Sequence, residues 1–163
     1  MNRRNDVTKK EITLAIPGRK PLSLAHLVLD FTGTLSKDGR LLPGVAVRLR
    51  RLARRLRIVV ATADTFGTAG QALAGLPVEV RFVKTGADKA RMVCQLGPKT
   101  TVAIGNGHND VPMFKAAALS IAVIGPEGAV GELIRVADIV VSGVHDALDL
   151  LAHPLRIVAM LRK

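Results

Sequence analysis

Four polar groups fall where apolar runs end: Asp30 after "HLVL", Thr62 after "RIVVA", Lys84 or Lys89 after "VEVRFV", and the loop "GNGHND" with Asp110 after "TVAI". Together these residue types suit chemistry at a phosphate. An aspartate presented at a strand end can attack phosphorus, forming an aspartyl-phosphate and dividing one hard displacement into two easier ones. A threonine hydroxyl can donate to a phosphoryl oxygen, and a lysine can neutralise the charge that develops there. Mg²⁺ takes oxygen ligands and keeps several waters, so Asp30 and Asp110 can supply both carboxylates such a site needs.

Each residue taken singly has a duller explanation. Asp30 can close an Asx-turn or cap a helix, Thr62 can satisfy strand-end backbone, Lys89 can lie on a helix surface, and Asp110 can cap the helix that follows it. Gly105 and Gly107 begin a dinucleotide-binding fingerprint, but Asp110 occupies the third glycine position and breaks it. His108 either touches a substrate or stands exposed without a role, and His26, His145 and His153 have no metal-ligand spacing. The order Asp, Thr, Lys, Asp along successive strand ends is the informative signal.

The elements that must position these groups follow from the apolar pattern. "EITLAIPGRKPLSLAHLVLDF" reads as a hairpin turning at Pro17-Gly18 and leading into a buried strand that ends near Asp30. "TLSKDGRLL" offers a smaller hairpin around Asp38-Gly39. Helices are expected over 44–56, 66–74, 87–96, 110–117 and 127–135, with a helical tail from about His145. Strands are expected over 57–61, 78–83, 101–104, 120–124 and 138–141. This alternation predicts an α/β fold, a Rossmann-like doubly wound and mostly parallel sheet with helices on both faces, in which ligands gather beyond the carboxyl ends of the strands.

Bulk composition sets the limits. With 163 residues, 48% of them hydrophobic, one domain with a sizeable core is expected over 11–163, behind a flexible start at 1–10. No Trp, no Tyr and four Phe leave the core to Val, Leu, Ile and Ala, and argue against aromatic platforms for single-stranded nucleic acid. Much of the net charge of +11 sits in Arg48, Arg50, Arg51, Arg54, Arg55 and Arg57. Val45, Leu49, Leu52 and Leu56 recur at helical spacing among them, so the arginines read first as the wet side of an amphipathic helix and second as a nucleic-acid or acidic-partner surface. The lone Cys94 excludes an internal disulfide and is expected to be a buried bystander. No run approaches the roughly 20 apolar residues of a membrane span, and no signal-peptide pattern follows the basic start, so a cytoplasmic protein is expected.

The joint motif set resembles the haloacid dehalogenase superfamily. "DFTGTLS" at Asp30 to Ser36 is similar to the Asp-Lys-Thr-Gly-Thr phosphorylation sequence of P-type ATPases, "TAD" at Thr62 to Asp64 to their Thr-Gly-Asp, and "GNGHND" to their Gly-Asp-Gly-x-Asn-Asp. Lys89 in "DKARMV" stands where the family's phosphate-binding lysine precedes that last motif. The chain resembles the small soluble P-type ATPase-like phosphatases, with no interval long enough for a cap domain. The resemblance implies Asp30 as nucleophile and metal ligand, Thr32 as carbonyl donor to Mg²⁺, Thr62 and Lys89 as phosphate-holding catalytic residues, and Gly33, Ala63 and Asn109 as further parts of the phosphate cradle. It also implies Asn106 and Asp110 as metal ligands, a small phosphorylated substrate, and a homo-oligomer whose neighbouring subunits cover the site.

Two departures from the family pattern carry consequences. Most phosphatases of the superfamily have a second aspartate two residues after the nucleophile, where this chain has Thr32, whose hydroxyl is a poor proton acceptor near neutrality. Slow dephosphorylation of the intermediate is therefore expected. Asn106 replaces an aspartate facing the metal, which implies weaker Mg²⁺ affinity. The rivals are a phosphoaspartate regulatory module, which would need an acidic pair on an earlier strand that is missing here, and a non-catalytic basic binding protein on the same scaffold.

Overall fold

Near-continuous apolar runs such as "RIVVAT" and "LSIAV" cannot leave one face wet, so they become strands of a parallel sheet covered on both sides. The computed structural model describes residues 11–163, and the expectation of a flexible 1–10 lies outside the described residues. Strands β3 (His26–Leu29), β6 (Arg57–Thr62), β7 (Glu79–Phe82), β8 (Thr101–Gly105), β9 (Leu119–Val123) and β10 (Ile139–Val141) form one sheet in the order β10-β9-β8-β3-β6-β7. Every pair is parallel, with Leu29 of β3 opposite Val60 on one side and Ile104 on the other.

Both expected hairpins form. β1 (Ile12–Leu14) pairs antiparallel with β2 (Leu22–Leu24), and β4 (Ser36–Lys37) with β5 (Arg40–Leu41). Asp38 and Gly39 both take positive φ, 50° and 75°, as a tight primed turn between twisted strands requires.

Alternation along each strand divides the interior into two cores. Leu27, Leu29, Ile58, Val60, Val102, Ile104 and Ile121 face α1 (Val45–Leu52), α6 (Val144–Ala152), α7 (Pro154–Leu161) and the first hairpin. The opposite face carries the smaller Val28, Val59, Ala61, Ala103 and Ala122, which lets α3 (Gly86–Leu96), α4 (Val111–Ala116) and α5 (Gly131–Val136) lie close. After β3 the chain moves outward through β6 and β7, then returns across the sheet to β8, β9 and β10. The loops following β3 and β8 therefore diverge and leave a crevice at the carboxyl end.

Several helices are shorter than their apolar spacing predicts, each for a local reason. α1 stops at Leu52 because the chain tightens through 53–55, with Arg54 and Arg55 amides donating to the Arg51 and Leu52 carbonyls, and delivers a buried Leu56 to the start of β6. α2 spans only Ala69–Ala72, since Asp64 Oδ1 accepts from the Thr68 and Ala69 amides and holds the preceding residues in a loop. A 3-10 turn, His108–Asp110, precedes α4. The helix expected from Glu127 begins at Gly131, because Pro126 and Glu127 form a turn in which Gly128 donates to the Gly125 carbonyl. Cys94 is exposed rather than buried, because α3 turns Lys89, Met92 and Val93 inward.

α1 is amphipathic as its pattern implies. Val45, Leu49 and Leu52 are buried, while Arg48 makes a two-pronged bond to Asp149 of α6, through Nε at 3.0 Å and Nη2 at 3.1 Å. Arg57 pairs with Glu79, and Arg50, Arg51 and Arg54 face solvent. No helix among the described residues is long and apolar enough to cross a membrane. Leu49 has no exposed surface, so Leu49→Ala should cost about 2–5 kcal/mol, read as a lower urea midpoint at unchanged m value.

Candidate functional site

The crevice between the loops after β3 and β8 collects the polar strand ends. Asp30 directly follows β3 and is almost fully buried. Lys89, one turn into α3, has no exposed surface, and its Nζ donates to Asp30 Oδ1 and to Asp110 Oδ1, both at 2.7 Å. Of the two lysines that the spacing leaves open, Lys89 is the one that reaches Asp30. Lys84 is exposed, and its backbone amide serves the Asp88 side chain at the start of α3.

Local devices aim each group. α3 starts with a reciprocal cap in which Asp88 N donates to Thr85 Oγ1 and Thr85 N to Asp88 Oδ2. Arg91, and then Thr85, hold the Asp88 carboxyl down at about 2, so it stays an anionic cap at neutral pH. Gly86 lies so near the 3-10 turn that a Cβ there would stand 2.7 Å from the Asn109 carbonyl oxygen. Asp110 is fully buried beneath its loop, its Oδ2 accepting from the amides of Asn106 and Gly107, each at 3.0 Å. Gly105 is glycine because a side chain there would collide with that carboxylate.

A cleft of about 270 Å³ opens over these groups. Asp30, Thr32, Gly33, Thr62, Ala63, Asn106 and Asn109 line it, joined by Thr65, Gly107 and Glu127. Lys89 and Asp110 lie behind this lining. Asp110, expected as a metal ligand, has its oxygens engaged by Lys89 and two backbone amides and lies behind the cleft lining, where it supports Lys89 and the Asn106 loop. Thr62 Oγ1 accepts from the Asp64 amide at 2.8 Å, which leaves its own hydrogen to donate elsewhere. His108 is exposed and pairs through Nδ1 with Glu132 at 3.0 Å.

Thr34, which the motif reading passed over, is fully buried and sits between two acceptors. Its Oγ1 lies 3.2 Å from Asp30 Oδ2 and 3.1 Å from Asn106 Oδ1. One hydroxyl has one hydrogen, so these two oxygens share a single donor. The signal for Thr34 was the second threonine of "TGT". The turn Gly125–Gly128 was also missed as a wall of the site, although "GPEG" carries the chemistry of a turn.

The electrostatics favour a cation. Two carboxylates share one ammonium, leaving an excess of negative charge in a buried place. Burial first, and then the Asp110 charge, push the Asp30 carboxyl up to about 6, against the pull of Lys89 and Thr34. Burial alone would lower the Lys89 ammonium, but the two carboxylates outweigh it and hold its pKa above the ordinary lysine value. Among the described residues no group of three His, Cys, Asp or Glu side chains could hold a metal ion. A hard cation nevertheless fits the donors at hand: the Asp30 carboxylate, the Thr32 carbonyl and the under-donated Asn106 amide oxygen.

Comparison with known proteins gives a consistent set of likenesses. A family model described as haloacid dehalogenase-like hydrolase matches residues 80–147. An uncharacterized protein of Methanocaldococcus jannaschii is 50% identical over 64 residues, which cover 39% of this chain and 69% of that one. A phosphoserine phosphatase of Albidiferax ferrireducens is 32% identical over 95 residues, covering 53% of this chain but 40% of that protein. Among solved structures, the cobalt-bound deoxy-D-mannose-octulosonate 8-phosphate phosphatase of Haemophilus influenzae superposes with a TM-score of 0.67 at 16% identity, covering 86% of this chain and 94% of that one.

Two outcomes test this geometry. Gly86→Ala should cost about 1–3 kcal/mol in chemical unfolding, because the new methyl meets a backbone carbonyl and Pro112 rather than a yielding side-chain tip. In the metal-free protein, folded Asp30 keeps its proton to about 6, whereas the unfolded chain releases it near ~3.9. The folded state then binds more protons across that interval, so the Asp30 contribution falls as pH rises from about 4 to 6. Urea unfolding over this range should show the decline in the wild type and its reduction in Asp30→Asn.

Proposed function

The chain belongs to the haloacid dehalogenase-like hydrolases, and from that premise we propose that it is a Mg²⁺-dependent phosphatase acting on a small phosphorylated substrate through an aspartyl-phosphate on Asp30. The observation that carries this reading is the Asp30 carboxylate at the floor of an open polar cleft, held by a buried lysine that is itself anchored by Asp110. The superfamily assignment also disfavours the phosphoaspartate regulatory module.

In this mechanism Asp30 attacks phosphorus and the substrate oxygen departs. Thr62 donates its free hydroxyl hydrogen to a phosphoryl oxygen, and Gly33, Ala63 and Asn109 complete the cradle around it. Gly33, at φ 75°, turns the chain where a side chain would strike Asn106. Lys89 keeps Asp30 oriented and balances the charge gathered at the site. Mg²⁺, held by Asp30, the Thr32 carbonyl and the Asn106 amide oxygen, would supply charge neutralisation for the phosphoryl group. Thr32 has no carboxylate to draw a proton from water, so the help usually given from that position, typically worth about 10²–10⁴-fold, is lost there and the phosphoenzyme is expected to persist longer than with an aspartate at 32.

The cleft is open, and phosphoryl chemistry gains from excluding bulk water. A homo-oligomer whose neighbour covers the cleft, working in the cytoplasm, completes the reading. The solvent-facing Arg50, Arg51 and Arg54 leave nucleic acid as a less favoured partner.

Rapid-quench kinetics with p-nitrophenyl phosphate and Mg²⁺ test the proposal. An acid-stable burst of one phosphoryl group per site should precede slow turnover in the wild type. Asp30→Asn should lose both burst and turnover, and turnover that survives this substitution would sink the mechanism. Thr32→Asp should speed release of the phosphoryl group by 10-fold or more, toward the ~10²–10⁴ range of general acid and base help.

A further inference from the structure

Hydrolysis of an aspartyl-phosphate is faster where a group accepts a proton from water, and among the described residues the cleft lining holds one carboxylate besides the nucleophile. Asp110 is buried and fully engaged, His108 lies outside the cleft lining in a pair with Glu132, and Thr32 does not ionise near neutrality. Glu127 remains as the exposed carboxylate on the cleft wall.

Its setting is built rather than loose. Glu127 occupies the third position of the turn Gly125–Gly128, with Pro126 fixing the second and the Gly128 amide donating to the Gly125 carbonyl at 3.3 Å. Gly125 N donates to the Ser142 carbonyl at 3.0 Å, anchoring one end. Asn106 grips the other end twice: its Nδ2 donates to the Gly128 carbonyl, and its own carbonyl accepts from Val130 N, both at 3.0 Å. The turn also leans on the nucleophile loop, since a Cβ on Gly125 would stand 3.1 Å from the Gly33 carbonyl oxygen.

We propose that Glu127 is the proton-transfer residue of this cleft and that Asn106 is the positioning residue that holds its turn in place. This deepens the phosphatase reading and rests on it. An aspartate at 106 would set a carboxylate oxygen against the Gly128 carbonyl, whereas the amide donates to it, which is a physical reason for Asn106 beyond its oxygen. In the first step protonated Glu127 gives its proton to the departing substrate oxygen as that oxygen's bond to phosphorus breaks and the Asp30 oxygen to phosphorus bond forms. In the second, the Glu127 carboxylate takes a proton from the water whose oxygen attacks phosphorus. The bond from phosphorus to Asp30 breaks, its electron pair returns to the carboxylate, and inorganic phosphate leaves with Glu127 protonated again.

The test is rapid-quench and steady-state kinetics of Glu127→Gln, Glu127→Asp and Asn106→Asp with Mg²⁺ and two substrates. Because p-nitrophenolate departs without a proton, Glu127→Gln should keep the burst with p-nitrophenyl phosphate and lose 10- to 100-fold in steady-state rate. With glycerol 1-phosphate, whose alkoxide needs a proton, the burst itself should slow. Glu127→Asp should recover part of the rate, and Asn106→Asp should lower the steady-state rate while the burst persists. Unchanged turnover of p-nitrophenyl phosphate and an unchanged burst with glycerol 1-phosphate in Glu127→Gln would overturn the proposal and leave the phosphatase reading standing. A wild type without any Mg²⁺-dependent burst or turnover would overturn the reading on which it rests.

Discussion

A lysine ammonium shut away from solvent between two aspartates is costly to assemble, since each buried ion carries a desolvation penalty of several kcal/mol that only close partners offset. Lys89 meets that condition with two contacts of 2.7 Å, and the surrounding construction serves to hold its partners at those distances. Asp30 is fixed by the central strand β3, Asp110 by two amides of the loop after β8, and Lys89 by a capped helix brought close through Gly86. Small residues on one face of the sheet let α3 approach closely enough for a lysine to reach across. Packing in the cores and charge at the site are therefore one problem solved together.

The balance at that site is deliberately incomplete. One ammonium between two carboxylates, and one threonine hydrogen between two acceptor oxygens, leave negative charge and lone pairs directed into the cleft. A fully neutral network would stabilise the fold more but would offer a cation nothing. The raised pKa of Asp30 follows first from its burial and then from the Asp110 charge, which together outweigh the pull of Lys89 and Thr34.

Asn106 joins the two halves of the crevice. Its amide oxygen lies beside Thr34 and its amide nitrogen secures the turn that carries Glu127, so one side chain links the floor of the cleft to its wall. An amide rather than a carboxylate at 106 carries no charge toward the cleft and supplies a donor to the Gly128 carbonyl.

Much of this was legible in the order of residues. Apolar runs of strand length between helical repeats dictate a covered parallel sheet, and Asp30, Thr62, Lys89 and Asp110 fall at its strand ends or in the turns and helix that follow them. The two hairpins were equally readable, since Pro17-Gly18 and Asp38-Gly39 have turn chemistry of their own. What periodicity could not give was the extent of α2 and α5, where Asp64 capping and the Gly125–Gly128 turn override helical spacing. Nor could it rank the two lysines, separate Asp110 from the cleft lining, or find Thr34 and Glu127, because those distinctions depend on which atoms meet across sequence separations of 21 to 72 and on how many donors each oxygen receives. The types of the reactive groups are local properties of the chain, whereas their pairing, burial and charge balance arise only when distant segments share one crevice.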